Sequence, residues 1–458
     1  MKNLLKFPLI ILCVLLVGSC SESLEELNID PNNPTDVELK LLLPEILSSS
    51  TFNEGTNPNR IAGIIMQQFL GLDAQQLAYN RYVLGEDVMN NYWLTGLYAG
   101  PLRSCKVIIE KAEDEADPRP IYAAIAKIVM ANEYGKATSF FGDIPLTEAL
   151  QGTDNLKPAY DSQESVYNAI QAMLDDAIST LNGLGTGGYS GGDLIFDGDA
   201  ASWAKAAHAM KARYFMHVSK RTGDYAQAVS EATQAMESNA ENPSFQYEVS
   251  ITANHSLAKF GIDRPSTLGI NPNFAAMMDG DPRQAKYMYS DDGENWLYFD
   301  SAEGGQMFWA QSDALVPMIT YTEMLFIQAE AMARSGGDAS SLLADAITSN
   351  FELIGLTADD ATGYIDGLAD ASLETVMTEA YKAYYGFNFH ETWANWRRTG
   401  IPSLSPVADG GGGLNPSGAI PQRFLYVESE TQTNFDNVSA ARDRQGGGLL
   451  DAPVWAFQ

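Results

Sequence analysis

The chain has 458 residues and carries 59 Asp and Glu against 28 Lys and Arg, a formal net charge of −31 at pH 7. Such an excess repels a phosphate backbone and an anionic lipid surface alike, so nucleic acid is excluded as a partner, as is membrane attachment through a basic patch. With 45% hydrophobic residues the chain can bury one large core or two ordinary ones, and its three cysteines are too few for a disulfide framework.

In chain order, the first element is a targeting segment. Lys2 and Lys6 flank the start of an apolar run over residues 7–17 that is too short to span a bilayer, and Val17-Gly18-Ser19-Cys20 closes it with small residues before a cysteine. The pattern resembles a lipobox, so residues 1–19 read as a lipoprotein signal peptide and Cys20 as the lipidation site. Several acyl chains, at about 0.8 kcal/mol per buried CH₂, make a stable anchor. Cys13 leaves with the signal and Cys20 is modified, which isolates Cys105 and makes the exported fold depend on its core. No later stretch is long and apolar enough to cross a membrane.

Residues 28–35, with Pro31 and Pro34, form an extended leader. Helices then dominate. Residues 101–111 and 121–141 carry apolar side chains at three-to-four spacing, and Gly142-Asp143-Ile144-Pro145 stops the second run. A helix is expected over 162–181, a glycine-rich loop over 183–192, and a helix over 200–220 with Asp199 as its N-cap. Asp224 stands likewise before 225–236, and the short connection favours an antiparallel pair. Over 242–312 prolines, glycines, asparagines and aromatics replace the periodic pattern, which predicts an irregular insertion with a few short strands. Helices resume over 321–335, 341–351 and 373–396, and after Ile401 the chain reads as loop. The fold class predicted is mainly α: a tetratricopeptide-like solenoid of helical hairpins with a loop-rich lobe, although no clean repeat of roughly 34 residues is visible.

Enzyme signatures fail one by one. Gly188-Tyr189-Ser190-Gly191-Gly192 fits G-x-S-x-G by letters, but a nucleophile elbow needs a strand before it and a helix directly after. His390-Glu391-Thr392-Trp393-Ala394 begins like a zinc helix and lacks the second histidine. His217, on an apolar stretch with Tyr214, reads as a satisfied interior histidine. Asp291-Asp292-Gly293-Glu294-Asn295 lacks EF-hand spacing and reads as a solvated turn. Neither a catalytic group nor a metal site nor a cofactor is expected.

Aromatics carry the binding hypothesis. Tyr79, Tyr82, Tyr92, Trp93 and Tyr98 cluster early, and Tyr287, Tyr289, Trp296, Tyr298, Phe299, Phe308 and Trp309 cluster in the irregular middle. Flat rings beside amides such as Gln75, Gln76, Asn80, Asn295 and Gln306 suit a sugar, whose apolar face stacks while amides bond its hydroxyls; peptides can use the same groups. Trp93, Tyr98, Trp393 and Trp396 sit at helical spacing and read as core. Tyr79, Asn80, Tyr82, Trp296, Tyr298 and Trp309, among chain breakers, are the candidate ligand contacts.

Several segments in a set order carry a resemblance. They are Ala131-Asn132-Glu133-Tyr134-Gly135 with Phe140-Phe141-Gly142-Asp143-Ile144-Pro145-Leu146, and Asp193-Leu194-Ile195-Phe196-Asp197-Gly198-Asp199 followed by Trp203 and Arg213. Tyr321-Thr322-Glu323-Met324-Leu325-Phe326-Ile327-Gln328-Ala329-Glu330-Ala331, residues 381–398, Arg423-Phe424, Asn434 and Val438 complete the set. Through nearly all of 20–458 the chain resembles the SusD/RagB family of outer-membrane nutrient-binding lipoproteins. The resemblance implies one binding domain over 20–458, with the ligand platform in an insertion at about 242–312. It also implies a lid on a SusC-like TonB-dependent transporter at the outer membrane, facing outward on a lipid anchor. Its work would be capture and delivery of an oligosaccharide without turnover. A peptide-binding importer of the same family is the alternative, and a surface glycoside hydrolase a more distant one.

Overall fold

The computed structural model describes residues 37–184, 188–250, 252–299 and 307–458. The signal segment, Cys20, the leader through Thr35 and Gln306 lie outside the described residues.

Two short helices, α1 (Leu39–Phe52) and α2 (Asn57–Ile65), meet at a 3-10 turn over Asn53–Gly55. Strand β1 (Phe69–Gly71) and helix α3 (Ala74–Asn80) follow, then a π-helical stretch over Tyr92–Leu102 that runs into α4 (Arg103–Ala112). The central element is α5 (Pro120–Phe141), in which every residue but Pro120 and Lys127 is buried. A helix apolar almost all round must sit inside a protein, and the polar residues it carries must then find partners there. Glu133 and Lys136 find each other at 2.6 Å, Ser50 donates to Glu133 at 2.6 Å, and Tyr214 Oη donates to the Asn132 carbonyl at 3.0 Å.

Helices α6 (Gln163–Gly183), α7 (Ala200–Thr222) and α8 (Ala226–Ala232) pack successively onto α5 and one another. Their starts follow from capping: Ser162 Oγ accepts from the Ser165 amide, and Asp199 from that of Ser202 at 2.9 Å. The irregular middle contains β2 (Ser244–Gln246), α9 (Ser256–Asp263), β3 (Leu268–Ile270), α10 (Pro272–Met277), α11 (Gln284–Tyr287) and β4 (Leu315–Pro317). Antiparallel pairing of β2 with β4 closes this lobe on itself, and β1 paired with β3, Phe69 opposite Ile270, ties it to the N-terminal helices.

A second helical run comprises α12 (Tyr321–Arg334), α13 (Ser340–Leu353), α14 (Ala358–Ile365), α15 (Leu373–Ala383) and α16 (Phe389–Thr399), with α12 packed on α8. The architecture is the expected mainly α, tetratricopeptide-like one. Two expectations need correction. The single helix expected over 373–396 is broken between α15 and α16, where Gly386 takes φ +97° and an added Cβ would collide with the Trp309 ring. Residues after Ile401 are not all loop, since α17 (Glu428–Thr433) and α18 (Phe435–Arg444) form there. No α17 residue is buried and only Val438 and Ala441 of α18 are, so neither shows an apolar stripe to read.

Candidate functional site

Because β1 and β3 pair, α9 is brought alongside α1, α2 and α3, and a cavity of about 760 Å³ opens between them. One wall comes from the end of α1, the turn and α2, with Asn53, Asn57 and Arg60; α3 adds Gln75 and Gln76, the π-helical stretch adds Tyr92 and Thr95, and Asn91 stands just before that stretch. The facing wall is α9 and its exit, with Lys259, Phe260, Asp263 and Arg264. At the base the walls touch: Ser256 Oγ donates to the Phe52 carbonyl at 2.5 Å, and a Cβ on Gly55 would collide with Ser256 and the Leu257 amide.

The wall behind Asn53 is held by buried charge. Asn53 Nδ2 donates to the Gly96 carbonyl at 2.8 Å and to Glu133 at 3.2 Å; Lys136 lies 3.1 Å from Glu54, which also accepts from Asn59 at 2.9 Å. Burial alone would raise the Glu54 pKa, but the charges of Lys136 and His390 outweigh it and bring it to about 2.

Arg60 is 9% exposed. Its Nη1 donates to the Gly55 carbonyl and its Nη2 to Asn57 Oδ1 at 2.8 Å, while the guanidinium lies 3.9 Å over the Phe260 ring. Burial draws its pKa to about 10, opposed by the phenols of Tyr298 and Tyr79, so it stays charged at neutral pH. Three polar atoms in these walls are buried without a hydrogen-bond partner: Arg60 Nε, Gln76 Oε1 and Tyr92 Oη. All three are closed off from solvent behind the cavity surface, and the Tyr92 ring packs against Phe140 and Phe141.

The six nominated contacts do not line this cavity. Tyr79 and Tyr82 are 4% and 3% exposed, and Tyr298 and Trp309 are both 3% exposed. The expectation that they stand on open loops is thereby corrected. An irregular lobe has few periodic apolar faces, so its rings seal it to the helices instead. Tyr298 meets Phe69 edge-on at 5.3 Å, Trp309 packs on Phe387 at 4.4 Å, and Tyr82 accepts from the Val407 amide at 3.4 Å. Trp296 and Asn80 are half-buried; Trp296 offers its carbonyl to the Ile270 amide at 2.8 Å, and Asn80 ends α3. Tyr298, with Tyr289 and Phe299, does line a second cavity of about 210 Å³ that shares Arg264 with the first.

Gln75, Gln76 and Tyr92, named among the early amides and aromatics, do reach the main cavity. Arg60, Asn57, Lys259, Phe260 and Arg264 went unread. The one signal for them is Asn57-Pro58-Asn59-Arg60, a polar start to an otherwise apolar helix.

Other motifs resolve as structure. His217 is buried between Tyr167 Oη at 2.9 Å and Glu391 at 2.8 Å. Asp292 accepts from the amides of Glu294 and Asn295 at 2.9 and 2.8 Å and from Asn295 Nδ2 at 2.7 Å, closing a turn on itself. Among the described residues no three His, Cys, Asp or Glu side chains are placed to hold a metal ion, and no helix is long and apolar enough to cross a membrane.

No curated protein matches the chain. Solved structures that resemble it include a chitin-binding protein at 23% identity and TM-score 0.76, covering 92% of this chain and 99% of that one. A SusD/RagB family protein from Bacteroides thetaiotaomicron follows at 21% identity and TM-score 0.75, with 92% and 99% covered. A chitin-binding SusD homologue from Flavobacterium johnsoniae has 19% identity and TM-score 0.74, with 92% and 98% covered. At such identities the likeness establishes the fold. The SusD-like family itself, described as starch-binding and associating with the outer membrane, matches residues 31–427, most of the chain, and this protein belongs to it.

Proposed function

We propose that this chain is a cell-surface nutrient-binding lipoprotein that captures an oligosaccharide in the cavity between α2, α3 and α9 and delivers it, unaltered, to a SusC-like TonB-dependent transporter. Cys20, lipidated, holds it to the outer membrane. The observation that carries this reading is the cavity of about 760 Å³ lined by Asn57, Gln75 and Asn91, whose amides suit a polyhydroxylated ligand. Chitin binding by two proteins of the same fold supports it. Trp309, whose carbonyl lies 2.9 Å from His255 Nδ1, acts by fixing the residue before α9.

Calorimetric titration of the full chain with maltooligosaccharides, chitooligosaccharides, acidic oligosaccharides and a peptide panel tests this directly. Saturable binding of a saccharide, with no new reducing ends after prolonged incubation, is expected. Binding of peptides alone would replace the saccharide reading, and new reducing ends would replace the binding-only one. In cells, Cys20→Ala should move the protein out of the membrane fraction. A SusC-like barrel should co-purify with the wild type from detergent extracts, and its absence would remove the transporter from the scheme.

A further inference from the structure

The main cavity is cationic in an acidic molecule. Arg60, Lys259 and Arg264 line it with a single carboxylate, Asp263, whereas the chain as a whole carries 59 acidic and 28 basic residues. Lys259 is already matched by Asp263 at 2.7 Å. Arg264 is exposed and has no ion-pair partner among the described residues.

Arg60 differs from the other buried arginines. Arg213, Arg283 and Arg398 each meet a carboxylate at 2.6 Å. Arg397 and Arg423 meet none, but bond through all three of their nitrogens. Arg60 does neither: it has no carboxylate, and its Nε is unbonded. A desolvated cation costs free energy that an anion beside it offsets, and a guanidinium is shaped to bond carboxylate or sulfate oxygens in pairs. The same walls present the amides of Asn57, Gln75 and Asn91, groups that match sugar hydroxyls.

Resting on the saccharide-binding reading above, we propose that this cavity selects an acidic oligosaccharide, one bearing carboxylate or sulfate groups, with the anion held by Arg60 and Arg264. The net negative charge of the protein does not prevent this, because screening confines charge effects to about 8 Å at physiological salt and the cations lie in the cavity wall itself.

The test is calorimetry on the full chain with trigalacturonate, a sulfated chondroitin tetrasaccharide, chitotetraose and tetraglutamate. At least one acidic saccharide should bind about tenfold or more tightly than chitotetraose, and Arg60→Gln and Arg264→Gln should each weaken it about tenfold. Arg264 is exposed, so its variant remains informative if Arg60→Gln fails to fold. Chitotetraose binding as tightly as the acidic saccharides would overturn this inference and leave the saccharide reading standing. Acidic saccharide binding that neither variant weakens would overturn the assignment to this cavity. Tetraglutamate binding with no saccharide bound would overturn the saccharide reading itself, and this inference with it.

Discussion

Arg213 donates to both oxygens of Glu323, at 2.7 and 2.6 Å, and lies 3.6 Å from Glu391, which His217 approaches at 2.8 Å. All four side chains are less than 5% exposed, so the cluster binds α7, α12 and α16 together without solvent screening. Removing one member leaves a buried charge unpaired, and Arg213→Met should cost about 3–5 kcal/mol in urea unfolding. Arg213→Met with Glu323→Leu should recover part of that loss; no recovery would mean that the arginine matters for shape alone. Protonation offers a second probe. Burial lowers the His255 pKa from its ordinary 6.5 to about 4, so His255 binds its proton more readily in the unfolded chain. Its contribution, roughly 3 kcal/mol, is complete above pH 6.5 and lost as pH falls toward 4. His217 shifts the same way. Glu54, lowered from 4.5 to about 2, contributes above pH 4.5 and loses that contribution toward pH 2. Urea midpoints should therefore fall in two stages on acidification, and His255→Gln should flatten the upper one.

Among the elements, the break between α15 and α16 is set from outside. Gly386 adopts a left-handed φ with the Trp309 ring against it, so the irregular lobe keys into the helical body at that point. Gly386→Ala adds both backbone strain and a clash, and should lower stability by about 2 kcal/mol or more, with a matching fall in melting temperature. An unchanged melting point would show that the ring moves aside freely. Periodicity passes over the break, because residues 373–396 read helical on both sides; Gly386 is the one glycine in that run, and its weight as a breaker comes from the positive φ it takes against the distant Trp309 ring. Starts of helices were legible for the opposite reason. Asp199 and Ser162 cap through their own following amides, so the signal lies within three residues.

At the scale of the whole molecule, no disulfide joins any of the described residues. Cys105 lies fully buried on α4, unpaired, and burial raises its thiol pKa well above the ordinary value. With Cys20 lipidated as proposed, the chain should melt at the same temperature with and without dithiothreitol; a shift of several degrees would reveal a disulfide between molecules. Helical class and hairpin order could be read from the sequence because apolar spacing is local. The cavity could not, since it needs Arg60 on α2 and Phe260 on α9, 200 positions apart, to meet through the β1–β3 pairing. Tyr298 and Trp309 misled for the same reason: composition locates an aromatic in a loop, but only the assembled neighbours decide which way it faces.

Gly55 acts at this scale too. With Ser256 bonded to Phe52 beside it, the two walls of the cavity share an apex at which there is no room for even a methyl group. A wedge behaves as a lever, so a small separation at the apex becomes a larger one at the mouth. The spacing of the two walls is thus set at the apex by the thickness of one residue, Gly55, whose carbonyl also accepts from Arg60, so a larger residue there would spread the walls and shift the cation they carry together.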